Sequence, residues 1–256
     1  MTMTEQTSIT TAPRSEVYCQ DCITYMRSLP DKFFQLAVAD PPYGQAGVES
    51  GWGGGRFGGP KTARFYKYRK QTEDNGLAVS WDTAPSADFF SELLRVSEHQ
   101  VVWGANFFPL MPACKCFLVW VKTNIPDGFS MAQAEYAWTS LPVNARVWHG
   151  SSARPKDQSD HFHPTEKPVG LYRWVLQQWL SALPAARRQD YPLRVFDPMM
   201  GSQSSRIAAH ILGLDYYGCE LDAEYFRRGC LRYEQETAGL IAQPDGTPIA
   251  RQLTLF

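Results

Sequence analysis

Several features are missing from the 256-residue sequence, and each absence removes a class of protein. No run approaches the ~18 consecutive apolar residues of a membrane span, which excludes a helical membrane protein. Met1 to Pro13 is rich in Thr and has no apolar stretch, so no secretory signal is expected and a cytoplasmic location follows. Six cysteines are too few for a disulfide scaffold at this length. Cys19 and Cys22 form a C-x-x-C, and Cys114 and Cys116 a C-x-C. Neither pair has the spacing of a common zinc knuckle or a thioredoxin-like setting, so reduced, mostly buried thiols are expected. Neither sign of charge is in excess: 25 Lys and Arg against 26 Asp and Glu give a net charge of −1. That balance rules out a uniformly basic coat for nucleic acid but leaves room for a local basic patch. There are no internal repeats.

What is present is ordinary for a globular chain: 44% apolar, 20% charged and 13% aromatic residues, with eight Trp to fill a sizeable core. Residues 1–14 read as a disordered leader and 239–256 as a C-terminal tail. Between them, apolar runs and periodicity predict strands at Val17–Gln20, Phe34–Ala39, Gln100–Trp103 and Phe117–Val121. Further strands are predicted near Glu135–Trp138 and Ala145–Trp148, and at Leu193–Phe196 and Tyr216–Cys219. Helices are predicted over Cys22–Leu29, from Thr83 to about Glu98, over Pro168–Leu183, over Ser202–Leu212 with Gly213 as its stop, and from Ala223 to about Thr237 with Asp222 as its cap. Strands alternating with helices indicate an α/β fold with a largely parallel sheet.

Two predicted strand ends carry chemistry. After Phe196 come Asp197-Pro-Met-Met-Gly201-Ser202-Gln203-Ser204 and a helix, and Glu220 ends the next strand. Ligands of doubly wound sheets bind beyond such ends, and an acidic residue at the second can accept both hydroxyls of a ribose. Gln203 stands where a second glycine would let a pyrophosphate approach. A dinucleotide is therefore disfavoured, and a ribose-bearing ligand without phosphates, such as S-adenosylmethionine, fits better. Taken alone, these residues suit an ordinary β-α-β unit with a glycine turn equally well.

The second strand end is Asp40-Pro41-Pro42-Tyr43. Two prolines fix φ and remove two N–H donors, which leaves the Asp40 carboxylate and the Pro41 carbonyl as rigid acceptors. Such a pair suits a nitrogen bearing two hydrogens, and Tyr43 offers a ring on which a planar base can stack. The plain alternative is a proline-fixed strand end with an Asp cap. His161 and His163 form an H-x-H with no third ligand nearby in sequence, so no metal is expected.

These segments resemble a known family. Asp40-Pro-Pro-Tyr43 is similar to the catalytic motif of DNA amino-methyltransferases, Asp197 to Ser204 to their cofactor loop, and His163-Pro-Thr-Glu-Lys-Pro168 to the entrance of their cofactor-side helix. Trp103-Gly-Ala-Asn106, Trp120-Val-Lys122 and Glu135-Tyr-Ala-Trp138 are also similar to family stretches, so the resemblance covers residues 16–237. The catalytic motif precedes the cofactor motif, the permuted order of the β class. The resemblance implies a Rossmann-like, mostly parallel seven-stranded sheet flanked by helices, with the catalytic half first. It implies S-adenosylmethionine as methyl donor and, with aspartate before Pro-Pro-Tyr, adenine N6 in double-stranded DNA as target. N4-cytosine, RNA, or an inactive DNA-binding module are the competing readings.

Asp40, Pro41, Pro42 and Tyr43 would then be catalytic. Glu220 would hold the ribose, and Asp21 and Cys22 would lie near the adenine ring of the cofactor. Asp197, Gly201 and Ser202 would line its methionine part, and Thr165 and Lys167 would reach its carboxylate. Asp40 and Leu221 complete the expected cofactor set. Two departures stand out: Met199 replaces the usual Phe, and Gln203 the second Gly.

DNA contacts are expected from two places. Residues 44–80, glycine-rich at first, include Arg56, Lys61, Arg64, Lys67, Arg69 and Lys70, interleaved with Phe57, Phe65, Tyr66 and Tyr68 and free of acidic residues from 56 to 70. The target-recognition region expected over 123–160 adds Asn124, Arg146 and Arg154, with Lys122 at its edge. Its shortness, and the frequency of dimers in the class, point to a homodimer. Gln252-Leu-Thr-Leu-Phe256 resembles the peptide that binds the bacterial sliding clamp, a possible second partner.

Overall fold

The computed structural model describes residues 13–43, 84–108, 111–129, 132–152, 162–163, 165–189, 193–238, 240–242 and 248–250. Residues 1–12 of the leader, the basic segment 56–70, Arg154, His161 and the pentapeptide 252–256 lie outside the described residues.

Chain order is β1 (Ser15–Cys19), α1 (Cys22–Arg27), β2 (Phe34–Ala39), α2 (Ala87–Val96), β3 (Ser97–Trp103), β4 (Cys116–Lys122), β5 (Ala134–Thr139) and β6 (Arg146–Gly150). Then follow α3 (Val169–Ala182), β7 (Arg194–Asp197), α4 (Ser204–Ile211), β8 (Asp215–Glu220) and α5 (Ala223–Thr237). Two short strands, β9 (Leu240–Ala242) and β10 (Pro248–Ala250), pair antiparallel where the sequence suggested only a tail.

Among the described residues, the main sheet has eight strands in the order β1-β8-β7-β2-β3-β5-β4-β6. This corrects the expected seven. The extra strand is the edge strand β6, which pairs parallel with β4 from Leu118↔Arg146 to Lys122↔Gly150. Only β5 runs against the others, so the sheet is mostly parallel as expected.

Side-chain alternation splits the core into two layers. Leu36 and Val38 of β2 face the layer under α3 and α4, with Leu171, Val175, Leu176 and Trp179 of α3. Ala37 and Ala39 face the other layer, with Met26 of α1 and Phe89, Phe90 and Leu93 of α2. Leu171, Val175 and Trp179 recur at four-residue spacing, which places them on one face of α3. Asp21 caps α1 by accepting the Thr24 N–H at 2.7 Å, and Asp222 caps α5 by accepting the Glu224 and Tyr225 N–H groups.

Candidate active site

The topology dictates where a ligand fits. From β7 the chain crosses through α4 to β8 on one side, whereas β2 has β3 as its parallel neighbour on the other. Because the parallel strands β7 and β2 are adjacent, the strand order reverses between them, and the crevice of a doubly wound sheet opens at such a point. The residues at these carboxyl ends are Asp197 and Asp40. Glu220 ends β8, paired with Cys19 at the end of β1, and Asp21 and Cys22 follow immediately. Five of the residues read from the sequence are thus gathered on one rim.

Asp197 is 1% exposed, and it accepts the Ser205 hydroxyl at 2.5 Å and the Met199 N–H at 3.1 Å. Burial pushes its carboxyl up to about 7, with Asp40 and Glu220 adding to the rise from either side. Glu220 accepts the N–H of Gly201 at 2.8 Å and that of Asp222 at 2.9 Å. Burial holds its carboxyl above the ordinary value.

Gly201 has φ +43°, and a Cβ there would come within 2.9 Å of the His163 ring. Glycine is therefore required for both conformation and space. His163 packs edge-on against Tyr225 at 4.6 Å, and burial holds its imidazole down to about 4. Ser202 is buried beside Gly201, and its hydroxyl pairs with that of Ser204 at 3.2 Å.

Gln203 stands where the family motif has glycine, and it adopts φ +61°. Its side chain braces this unusual backbone: Oε1 accepts from Arg206 at 2.8 Å, and Nε2 donates to the Phe226 carbonyl at 3.3 Å. The room for it is made by Gly229 of α5, where a Cβ would lie 2.7 Å from Gln203 Cγ.

On the β2 side, Asp40 has a side chain only 12% exposed and heads a line of alternating charges. Its Oδ2 lies 2.5 Å from Lys167 Nζ, which is 3.2 Å from Glu135 Oε2, and Glu135 Oε1 is 2.5 Å from Lys122 Nζ. The other oxygen of Asp40 accepts the Tyr43 hydroxyl at 3.0 Å. The Lys167 ammonium also stands 5.5 Å from the Trp103 ring and 6.0 Å from that of Tyr43.

Burial raises the Asp40 carboxyl against the pull of Lys167, and Glu135 adds to the rise. Burial also works against charge on Glu135 and on Lys167. Their ion pairs win, holding the Glu135 carboxyl down at about 2 and keeping the Lys167 ammonium protonated.

Tyr43 is set by its neighbours. Its ring stacks on Phe107 at 4.8 Å and 24°, and lies edge-on to Phe108 at 6.2 Å. Gly104, at φ +65°, leaves the space for it, since a Cβ there would fall 2.1 Å from the Tyr43 ring. The Gly104 N–H donates to the Tyr136 carbonyl at 3.1 Å, which ties this turn to β5 next to Glu135.

Several expectations change. Lys167, read as a partner for a cofactor carboxylate, is buried against Asp40 and Glu135 instead. Lys122, read as a DNA contact, has a side chain 9% exposed, held by Glu135 and lying 5.1 Å over the Trp120 ring. Both corrections have one cause, the need of a buried cation for an anion within reach. Asn124 joins the ends of β4 and β6, its Oδ1 accepting the Ser152 N–H at 2.8 Å. Arg146 is exposed at the start of β6, Thr165 is exposed with its hydroxyl 3.3 Å from His163 Nδ1, and Leu221 is 73% exposed. Cys22 is buried, its thiol pushed up to about 12 by burial, and all six cysteines are free thiols.

Glu135, Trp103, Gly104 and Phe107 carry site geometry that the expected site residues did not include. Glu135, Trp103 and Gly104 lay within the quoted family-like stretches, which was their one signal.

Residues 111–229 match the family model described as DNA methylase, of the N6/N4 type. This part of the chain is thus similar to N6/N4 DNA methylases. That domain match spans β4 to α5, so it holds Lys122, Glu135, Lys167, Asp197 and Glu220, while Asp40 comes before it. The Type II methyltransferase M2.MboI of Moraxella bovis is 21% identical over 86% of this chain and 88% of its own length. Among solved structures, the cytosine-N4-specific PvuII DNA methyltransferase superposes with a TM-score of 0.54 at 12% identity, over 89% of this chain and 91% of that one. This likeness shows a shared fold. The M1.HpyAVI–SAM complex has a TM-score of 0.47 at 17% identity, covering 88% of this chain and 99% of that one.

Proposed function

We propose that this chain transfers a methyl group from S-adenosylmethionine to an exocyclic amino nitrogen in DNA, with adenine N6 as the target. The observation that carries this reading is the adjacency of Asp40 and Asp197 at the reversal point of the strand order. One strand end offers a proline-stiffened acceptor, and the other a glycine turn with a neighbouring acid.

The residues present suit the cofactor. Glu220 has accepting capacity beyond its two backbone partners, which matches a ribose diol. The Gly201 turn is cleared of side-chain bulk, and His163, Ser202 and Asp197 surround it. Asp21, Cys22 and the exposed Leu221 flank the same rim and suit an adenine ring. When bound, S-adenosylmethionine supplies an electrophilic methyl group on a sulfonium.

An aromatic amine is a weak nucleophile because its lone pair is delocalised into the ring. Asp40 and the Pro41 carbonyl accept the two amino hydrogens, which localises that pair and favours the charge that develops on nitrogen. Asp40 keeps its orientation through two fixed partners, the Tyr43 hydroxyl and Lys167. The direct displacement needs no covalent enzyme intermediate, consistent with thiols that burial keeps protonated at Cys22 and Cys219. An amino group paired inside a duplex is out of reach, so the base is flipped out, and Tyr43 with the partly exposed Phe107 forms the aromatic surface that receives it.

The test is nucleoside analysis of unmethylated DNA after incubation with the chain and labelled cofactor. N6-methyladenine is the expected product. N4-methylcytosine overturns the choice of base but not the reaction, and an absence of label in any base overturns both.

A further inference from the structure

Asp40, Lys167, Glu135 and Lys122 form a continuous line of ions, with contacts of 2.5, 3.2 and 2.5 Å. The four formal charges alternate and cancel. They come from the end of β2, the entrance of α3, and β5 and β4, so only the tertiary fold assembles them. Among the described residues, the ion-pair partners of Glu135 are the two lysines, not Asp40.

An ammonium whose only partner is Asp40 would take up the lone pairs that a substrate amino group needs. A second carboxylate on the same ammonium shares that charge. In a site this dry, such sharing is large compared with the same contact in water. We propose that Glu135 is a positioning residue for Asp40: it shares the charge of the Lys167 ammonium with Asp40, leaving the Asp40 carboxylate a stronger acceptor, while Lys122 holds Glu135 in place.

This inference rests on the methyl-transfer reading above. The other groups facing this line are the Tyr43 hydroxyl on Asp40, Tyr172 from α3, Asp197 from β7 and His163 ahead of α3. All four stay in place in the variants below.

The experiment uses the full chain with unmethylated DNA and S-adenosylmethionine. It measures kcat, both KM values and the pH dependence of kcat for wild type, Glu135→Gln, Glu135→Asp and Lys122→Gln. Glu135→Gln is expected to lower kcat on the order of 10- to 100-fold, the usual scale for loss of one charged hydrogen-bonding partner. The KM for cofactor should stay within about threefold, a shift too small to register as lost binding. The acid limb of the kcat profile should move to lower pH, because Lys167 then acts on Asp40 alone. Lys122→Gln should move it the opposite way, since Glu135 then leans fully on Lys167. Glu135→Asp should restore part of kcat.

A folded Glu135→Gln variant with wild-type kcat and an unmoved acid limb overturns the proposal. So does a loss that tracks only the folded fraction. Should Glu135→Gln fail to fold, the direction of the Lys122→Gln shift decides alone. Absence of transfer by the wild type overturns the reading of the site and this inference with it, whereas active wild type with indifferent variants overturns the inference only.

Discussion

Lys167 Nζ lies 2.5 Å from Oδ2 of Asp40, so the strand end that stiffens the Asp-Pro-Pro-Tyr turn is locked to the entrance of α3 by a buried ion pair. A carboxylate so fixed loses one degree of freedom that catalysis would otherwise have to freeze at each turnover. The pair also couples stability to activity, because neither ion is tolerated there without the other.

Asp40→Asn keeps the shape of the side chain and removes its charge. Methyl transfer is expected to fall by at least about 100-fold, on the scale of one lost transition-state partner. Cofactor affinity, followed by calorimetry, should change little, because Glu220 and the Gly201 turn lie on other strand ends. Wild-type turnover in this variant would remove Asp40 from its assigned role.

Lys167→Met leaves Asp40 and Glu135 without their shared cation. A cost of about 3–5 kcal/mol in chemical denaturation is expected, as for other buried pairs broken on one side. Removing the cation also raises the Asp40 carboxyl further, so whatever activity remains should lose its acid limb at higher pH than wild type. An unchanged limb would mean that the ammonium does not act on Asp40.

Gly104→Ala puts a methyl group into the Tyr43 ring and forces alanine to φ +65°. Backbone strain and overpacking together should cost about 2–4 kcal/mol. Gly128, also at positive φ (+78°) but with open space around it, is the control: alanine there pays only for its backbone.

Gln203 and Gly229 should behave as one unit. Gly229→Ala alone drives a Cβ into Gln203 Cγ and is expected to destabilise. In a Gln203→Gly background that clash is gone and alanine gains about 1 kcal/mol of helix propensity. The sign of Gly229→Ala should therefore reverse between the two backgrounds, a coupling that a double-mutant cycle reads directly.

Asp197 titrates near 7 in the folded chain, well above the ordinary carboxyl value. A raised folded value means that the native state binds the extra proton. Its contribution to stability is fully present below about pH 4 and lost as pH rises through about 7. Asp197→Asn should remove this slope, so the stability of the variant relative to wild type should improve between pH 5 and 7.5 in denaturant titrations. Parallel curves would place the titration elsewhere.

Most of the strand and helix positions could be read along the chain. Phe34–Ala39 and Ala223–Thr237 were expected with the bounds the structure has, because a short apolar run before prolines and an Asp cap before a periodic stretch are local signals. The strand near Ala145–Trp148 was expected too, but the resemblance implied seven strands, and only the pairing of β6 with β4 makes it an eighth member of the sheet. The acids at the strand ends were equally visible, because strand, turn and acid are contiguous. The partners of Lys122 and Lys167 were not. A lysine in a sequence is equally a surface cation or a buried one, and only the position of a carboxylate from another strand tells them apart.

The α/β alternation, the stiff Asp40 turn, the glycine turn at Gly201 and the acid at Glu220 could all be read along the chain, since each depends on the φ preferences and polarity of neighbouring residues. Only the folded chain puts Asp40 and Asp197 at neighbouring strand ends, sets Glu135 and Lys122 behind Lys167, and lets Gln203 hold a glycine's conformation against Gly229. Those outcomes depend on strand order and on burial, which set the distances between charges and the space around a backbone.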